Sequence, residues 1–279
     1  MWKSRLSRLS AAMCRLTARP ERRPFSASTW PARSAALRCQ EAQKESPLVA
    51  DPCACLLSDA FAGEISEEDG TFMCLTAFVD RMLMDAVSRR VRQVVLWRSG
   101  TDTRAFRLHL PPQVRFIEVD DAEVHQAKSA VLEVANARPR CSLQRVVPEQ
   151  LPEVMDPRKA SFIVLEDLSL EDGPYVEQLS KELVAEGSRV VVVLRDDSDS
   201  LASTASHWLQ LLQSCGCARS ERIPDLALQQ MCQDGWPTAP RGALLVAERG
   251  DLELLQRPTA PGATRKDGAP MSSYGWRGD

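Results

Sequence analysis

No apolar run in this sequence approaches the ~20 residues that a membrane-spanning helix needs. The longest runs, such as Val190 to Leu194, have the length of a strand. Neither sign of charge dominates: the net charge is -3, so no basic footprint for nucleic acid covers the chain. Histidine is scarce, with only His109, His125 and His207, and no general base can be nominated from so few. Nine cysteines are present, but none has the two-to-four residue spacing of common zinc sites. Cys53 and Cys55, like Cys215 and Cys217, are separated by one residue and have no histidine cluster beside them. The reading is no metal site, and scattered thiols of a reducing compartment.

Acids are almost absent from residues 1–40, where Glu21 stands alone among arginine, serine and alanine. From Met1 to Leu16 basic and apolar residues interleave at near-helical spacing, as in an organelle import segment. Arginines break every apolar stretch, which excludes a secretory signal. Arg23-Pro24-Phe25-Ser26-Ala27-Ser28 resembles a mitochondrial processing pattern. Residues 1–40 are therefore expected to be a cleaved, disordered import segment with no part in the fold. The destination is mitochondrial, with plastid and cytoplasm as alternatives. A domain follows over 47–255, and the Pro- and Gly-rich residues 256–279 read as a disordered tail. With 279 residues the chain has room for one domain of roughly 200–250 residues plus tails.

Within 47–255 the pattern alternates. Phe72 to Val91 has helical periodicity through Leu75, Phe78, Val79, Met82, Leu83, Ala86 and Val87. Short strands are expected at Gln93–Trp97, Val114–Val119, Ser142–Val147, Phe162–Leu165, Arg189–Leu194 and Ala243–Ala247. Helices are expected from Thr103, over Ala122–Ala135, Tyr175–Ala185 and Ala202–Leu212, and around Leu226–Cys232. Strands alternating with helices predict an α/β, Rossmann-like fold with a mostly parallel sheet and helices on both faces.

In such a sheet ligands bind at the carboxyl ends of the strands where the order reverses. Gly100, just past the first strand, allows close backbone approach. Asp120, at the end of the second, is placed to hold the two hydroxyls of a ribose. The loop Trp97-Arg98-Ser99-Gly100-Thr101-Asp102 has one glycine and then an acid, which disfavours the pyrophosphate of a dinucleotide. Asp102 can equally be a helix cap, Arg104 a surface or ion-pair residue, and Asp120 and Glu166 solvated loop acids.

The run from Val94 to Leu108, with Gly100-Thr101-Asp102-Thr103-Arg104 at its centre, resembles the Gly-x-Gly-x-Asp-Thr-Arg signature of the leucine carboxyl methyltransferase family. Asp51-Pro52-Cys53-Ala54, Phe116-Ile117-Glu118-Val119-Asp120 with Lys128, Phe162-Ile163-Val164-Leu165-Glu166, and Glu186-Gly187-Ser188-Arg189-Val190 follow in that family's order. The resemblance covers about Pro47 to Glu248. It implies a class I, seven-stranded methyltransferase fold and S-adenosyl-L-methionine as cofactor. Gly100 would face its methionine part, Asp120 its ribose, and Glu166 would lie beside it; Asp102 and Arg104 would shape the first turn. The implied reaction is O-methylation of a carboxylate or hydroxyl, on a small molecule or a protein carboxylate. A fold-retaining binding or scaffold module is the alternative. Several positions depart from the family: Arg98 replaces its first glycine, Leu75 replaces the arginine before Thr76, and its tyrosine after the fourth strand is either absent or displaced to Tyr175. Oligomeric state is not legible.

Overall fold

The computed structural model describes residues 30–61, 70–195, 201–217, 219–224, 227–228 and 242–249. Its elements are α1 (Trp30–Ala42), α2 (Ala54–Phe61), α3 (Gly70–Ser88), β1 (Gln93–Trp97), α4 (Arg104–Arg107), β2 (Arg115–Val119), α5 (Ala122–Val134), β3 (Ser142–Val146), α6 (Leu151–Val154), β4 (Ser161–Glu166), α7 (Gly173–Gln178), β5 (Arg189–Arg195), α8 (Leu201–Ser214), β6 (Arg219–Arg222) and β7 (Gly242–Glu248).

The seven strands form one sheet in the order β3-β2-β1-β4-β5-β7-β6. β1 to β5 pair in parallel, and β7 runs antiparallel between β5 and β6. The α/β, Rossmann-like expectation holds. β1 and β4 are buried along their whole length, which is why they read as apolar, β-branched runs rather than alternating ones. Alternate residues point to opposite faces. Val94, Leu96, Phe116, Phe162, Val164, Val191 and Val193 meet Val79, Met82 and Leu83 of α3, with Ala32 and Ala35 of α1 and Leu57 of α2 in the same core. Val95, Trp97, Ile117, Ile163, Leu165, Val190 and Val192 meet Val176 of α7 and Trp208 and Leu212 of α8. β1, flanked by β2 and β4, is where the strand order reverses, so the cleft lies at its carboxyl end.

Two expectations are corrected. The domain does not begin at 47: Trp30–Ala42 is a helix whose Ala32, Ser34, Ala35, Ala36, Leu37 and Arg38 are buried. Residues 30–40 are thus structural, and the import expectation falls on residues 1–29, outside those described. The second concerns thiols. Cys39 and Cys55 are joined in a disulfide, their Cα atoms 4.5 Å apart, because α1 and α2 pack side by side. Cys53, Cys141, Cys215 and Cys217 are buried free thiols; burial above all pushes Cys53, Cys141 and Cys217 up to about 11. The residues expected as a tail, 256–279, lie outside those described, and of the expected helix around Leu226 only 227–228 are described. Among the described residues no helix is long and apolar enough to cross a membrane.

Candidate functional site

The loop after β1 turns sharply. Arg98 and Gly100 both adopt positive φ, 52° and 46°, and Asp102 N–H closes the turn on Ser99 O at 2.8 Å. This exposes the Gly100 N–H to the end of β2, where it donates to Asp120 Oδ2 at 2.6 Å; Asp121 N–H donates to Oδ1 at 2.9 Å. Burial holds Asp120 above the usual carboxylate range, against the opposing pull of those two N–H groups and of His125 and Lys128. The structure thus brings Gly100 and Asp120 into direct contact at the switch point, and Asp120 is no solvated loop acid.

Over Gly100 lies Pro31 of α1. A Cβ built on Gly100 would sit 3.1 Å from the Pro31 Cβ, so glycine is required both by the backbone and by the neighbour. Gly100→Ala is expected to destabilise by about 1–2 kcal/mol, read as a lower urea midpoint at unchanged slope; an unaltered midpoint would contradict this packing.

α1 is fastened to this loop by a buried polar set. Arg38 Nε donates to Asp51 Oδ2 at 3.0 Å, and its Nη2 to Thr101 O at 2.7 Å. Thr103 Oγ1 donates to the same Asp51 oxygen at 2.5 Å, and Thr101 Oγ1 to Pro31 O at 2.6 Å. Asp51, legible in sequence only as part of a motif, is the counter-ion of Arg38, which lies in the stretch whose composition predicts an import segment. Pro31 and Arg38 were missed for that reason.

Asp102, Arg104 and Glu166 form a second cluster. Asp102 Oδ1 accepts the Arg104 N–H at 2.7 Å, opening α4. Arg104, 1 % exposed, spans three acids: Asp80 Oδ1 at 2.8 Å, Asp102 Oδ2 at 2.7 Å and Glu166 Oε1 at 2.8 Å. Arg107 pairs with Asp80 as well. Arg104 is therefore a buried hub and not a surface residue, and Glu166 is tied to it. Beneath the second strand, Lys128 Nζ lies 2.9 Å from Glu118 Oε1, both fully buried, though without hydrogen-bond alignment. Arg145 Nε takes the other Glu118 oxygen at 2.9 Å.

Among the buried polar atoms without a hydrogen-bond partner are Thr76 Oγ1 on α3, Trp97 Nε1 and Ser99 Oγ at the end of β1, and Arg104 Nη2. Leu75 is buried, with its Cδ1 against Gly242 at the start of β7. His125 stands close to Asp120, but its Nε2 donates to Val146 O at 3.0 Å and burial holds it below its ordinary value.

At the rim Arg98 points to Asp172 (2.7 Å), and Trp97 and Tyr175 rings lie 5.8 Å apart. The segment after β4 is so pinned to the β1 loop. Among the described residues no group of His, Cys, Asp and Glu is arranged to hold a metal ion.

Comparison with known proteins places the first half of this architecture. A Mycobacterium ulcerans protein, named as a candidate S-adenosyl-L-methionine-dependent methyltransferase, is 35% identical over 136 residues, 40% of this chain and 43% of its own length. A Frankia alni protein of the same description is 36% identical over 135 residues, 43% of this chain and 47% of its own. The chain thus spans less than half the length of these curated relatives. A solved structure described as a candidate methyltransferase of Thermobifida fusca YX covers 79% of this chain and 94% of its own, at 15% identity and a TM-score of 0.49. The profile of one family, described as leucine carboxyl methyltransferase, matches residues 29–156, from the start of α1 through β1, β2 and β3. Over those residues, less than half of the chain, it is similar to the leucine carboxyl methyltransferase family.

Proposed function

We propose that this protein binds S-adenosyl-L-methionine at the carboxyl ends of β1, β2 and β4 and methylates an oxygen acceptor, a carboxylate of a small molecule or protein. The observation that carries the reading is the Gly100–Asp120 contact at the switch point. Each Asp120 oxygen accepts one N–H and retains lone-pair capacity for a ribose hydroxyl. α4 has four residues and Asp102 at its start, an arrangement unsuited to a pyrophosphate. The names of the curated relatives support the same cofactor.

The cofactor supplies an electrophilic methyl group on a sulfonium. The protein's part is positioning: Asp120 fixes the ribose and the β1 loop closes against it. A carboxylate acceptor is already ionised and needs no base, whereas a hydroxyl needs one. His125, the histidine nearest Asp120, already donates to Val146 O and is held in the neutral form by burial; this favours the carboxylate. Delivery to the mitochondrion by residues before Trp30 is proposed on their basic composition alone.

The test is calorimetric titration of S-adenosylhomocysteine into the full chain and its Asp120→Ala variant. Loss of charge-assisted bonds to the diol is expected to weaken binding roughly 10–100-fold. Absence of binding at millimolar ligand by folded wild type would overturn the proposal.

A further inference from the structure

The rim of the cleft carries a cation that neither the core nor the reading above employs. Arg98 follows β1 at φ 52°, uncommon for a residue other than glycine, and its guanidinium is anchored. Asp172 is what holds it: Arg98 Nε and Nη2 donate to the same Asp172 oxygen at 3.2 and 2.7 Å. The other Asp172 oxygen accepts the Ser169 N–H and hydroxyl at 2.7 and 2.9 Å, so the acid is itself fixed. Nη1 takes no part in this end-on pairing, and the Arg98 side chain is 47% exposed against 5% for Asp172. Asp172, Asp167 and Asp120 all stabilise the guanidinium against the opposing effect of burial.

β1 lies between β2 and β4. A nucleoside whose ribose is held by Asp120 at the end of β2, with its base on the β3 side, runs its 5′ substituent across the end of β1 toward β4. Arg98 and Asp172 stand there. In the proposed cofactor that substituent ends in an amino acid, a carboxylate beside an ammonium. A guanidinium edge set among acids matches this zwitterion, where a carboxylate alone would meet the surrounding negative charge.

We propose that Arg98 is the specificity-determining residue for the amino-acid end of the cofactor, its Nη1 edge taking the ligand carboxylate while Asp172 keeps the guanidinium in place. This rests on the cofactor reading above. The test compares two thioethers that differ only in the carboxylate, S-adenosylhomocysteine and S-adenosyl-3-thiopropylamine, by calorimetry on the full chain and on Arg98→Gly. Glycine accepts the positive φ without strain, and a thermal melt confirms that the variant is folded. Wild type is expected to prefer S-adenosylhomocysteine by roughly 10–100-fold. In Arg98→Gly that preference falls to within about threefold while affinity for the amine is retained; Arg98→Lys, with charge but no planar edge, lies between. A preference that Arg98→Gly leaves unchanged overturns this inference alone. Binding of neither thioether by folded wild type overturns both it and the cofactor reading.

Discussion

A chain beginning at residue 43 is expected not to fold, whereas one beginning at residue 29 melts within a few degrees of the full chain. The difference is α1. Its removal uncovers the core around Leu57 and Val79 that Ala32 and Ala35 complete. It also takes Arg38 from Asp51, whose side chain is fully buried, and Pro31 from Gly100. Lost apolar burial together with an unpaired carboxylate amounts to about 5 kcal/mol or more, comparable with the ~5–15 kcal/mol that stabilises a whole domain. Circular dichroism melts of the two truncations decide the matter: a cooperative transition in the shorter chain near that of the longer would refute the role given to α1. Import processing compatible with this domain cuts before Trp30, so a mature chain starting near residue 40 would also contradict it.

α1 was illegible for a definite physical reason. Its composition continues that of residues 1–29, and the partner that neutralises Arg38 lies thirteen residues on, past a turn. The same holds for the Cys39–Cys55 disulfide, whose sequence separation of 16 says nothing about proximity until α1 and α2 are known to pack. α2 itself is short and carries no signal that separates it from a loop. β6 (Arg219–Arg222) is an edge strand of four polar residues, none buried, and shows no apolar alternation to detect. The central strands β1, β2, β4 and β5 were legible because burial on both faces leaves them little choice of composition. At the site, Gly100 and Asp120 could be placed by strand position alone, since topology brings the first and second strand ends together. Asp102, Arg104 and Glu166 were visible as residues but not as a cluster: the Arg104 guanidinium joins Asp102 directly to Glu166, 62 residues away in sequence, and to Asp80 on α3, a meeting that no local pattern encodes.

That cluster yields the largest effect of a single substitution. Arg104→Ala removes the cation shared by Asp80, Asp102 and Glu166, leaving Asp102 and Glu166 without it in a buried setting while Asp80 keeps Arg107. Stripping one side of a buried ion pair costs about 3–5 kcal/mol, and the expected loss near neutral pH is of that order. Arg104→Lys is expected to recover only part of it, because one ammonium cannot span three acids held by a planar fork. The pH dependence has a definite sign. In the wild type, burial pushes Asp102 up, but Arg104, Arg107, Arg38 and Lys128 together bring it below its ordinary value. Its contribution to stability is therefore complete above the unfolded carboxylate pKa of about 3.9 and is lost as pH falls through the lower, folded one. In Arg104→Ala burial prevails at Asp102, which then binds a proton more readily, and protonation relieves it. The gap between variant and wild type should thus be widest near pH 7 and narrow below about pH 5. Urea unfolding at both pH values measures it. A gap that is equal at the two would mean that Arg104 stabilises the domain by packing its side chain and not by its charge, and the carboxylates it spans would then have to be regarded as independently solvated or paired.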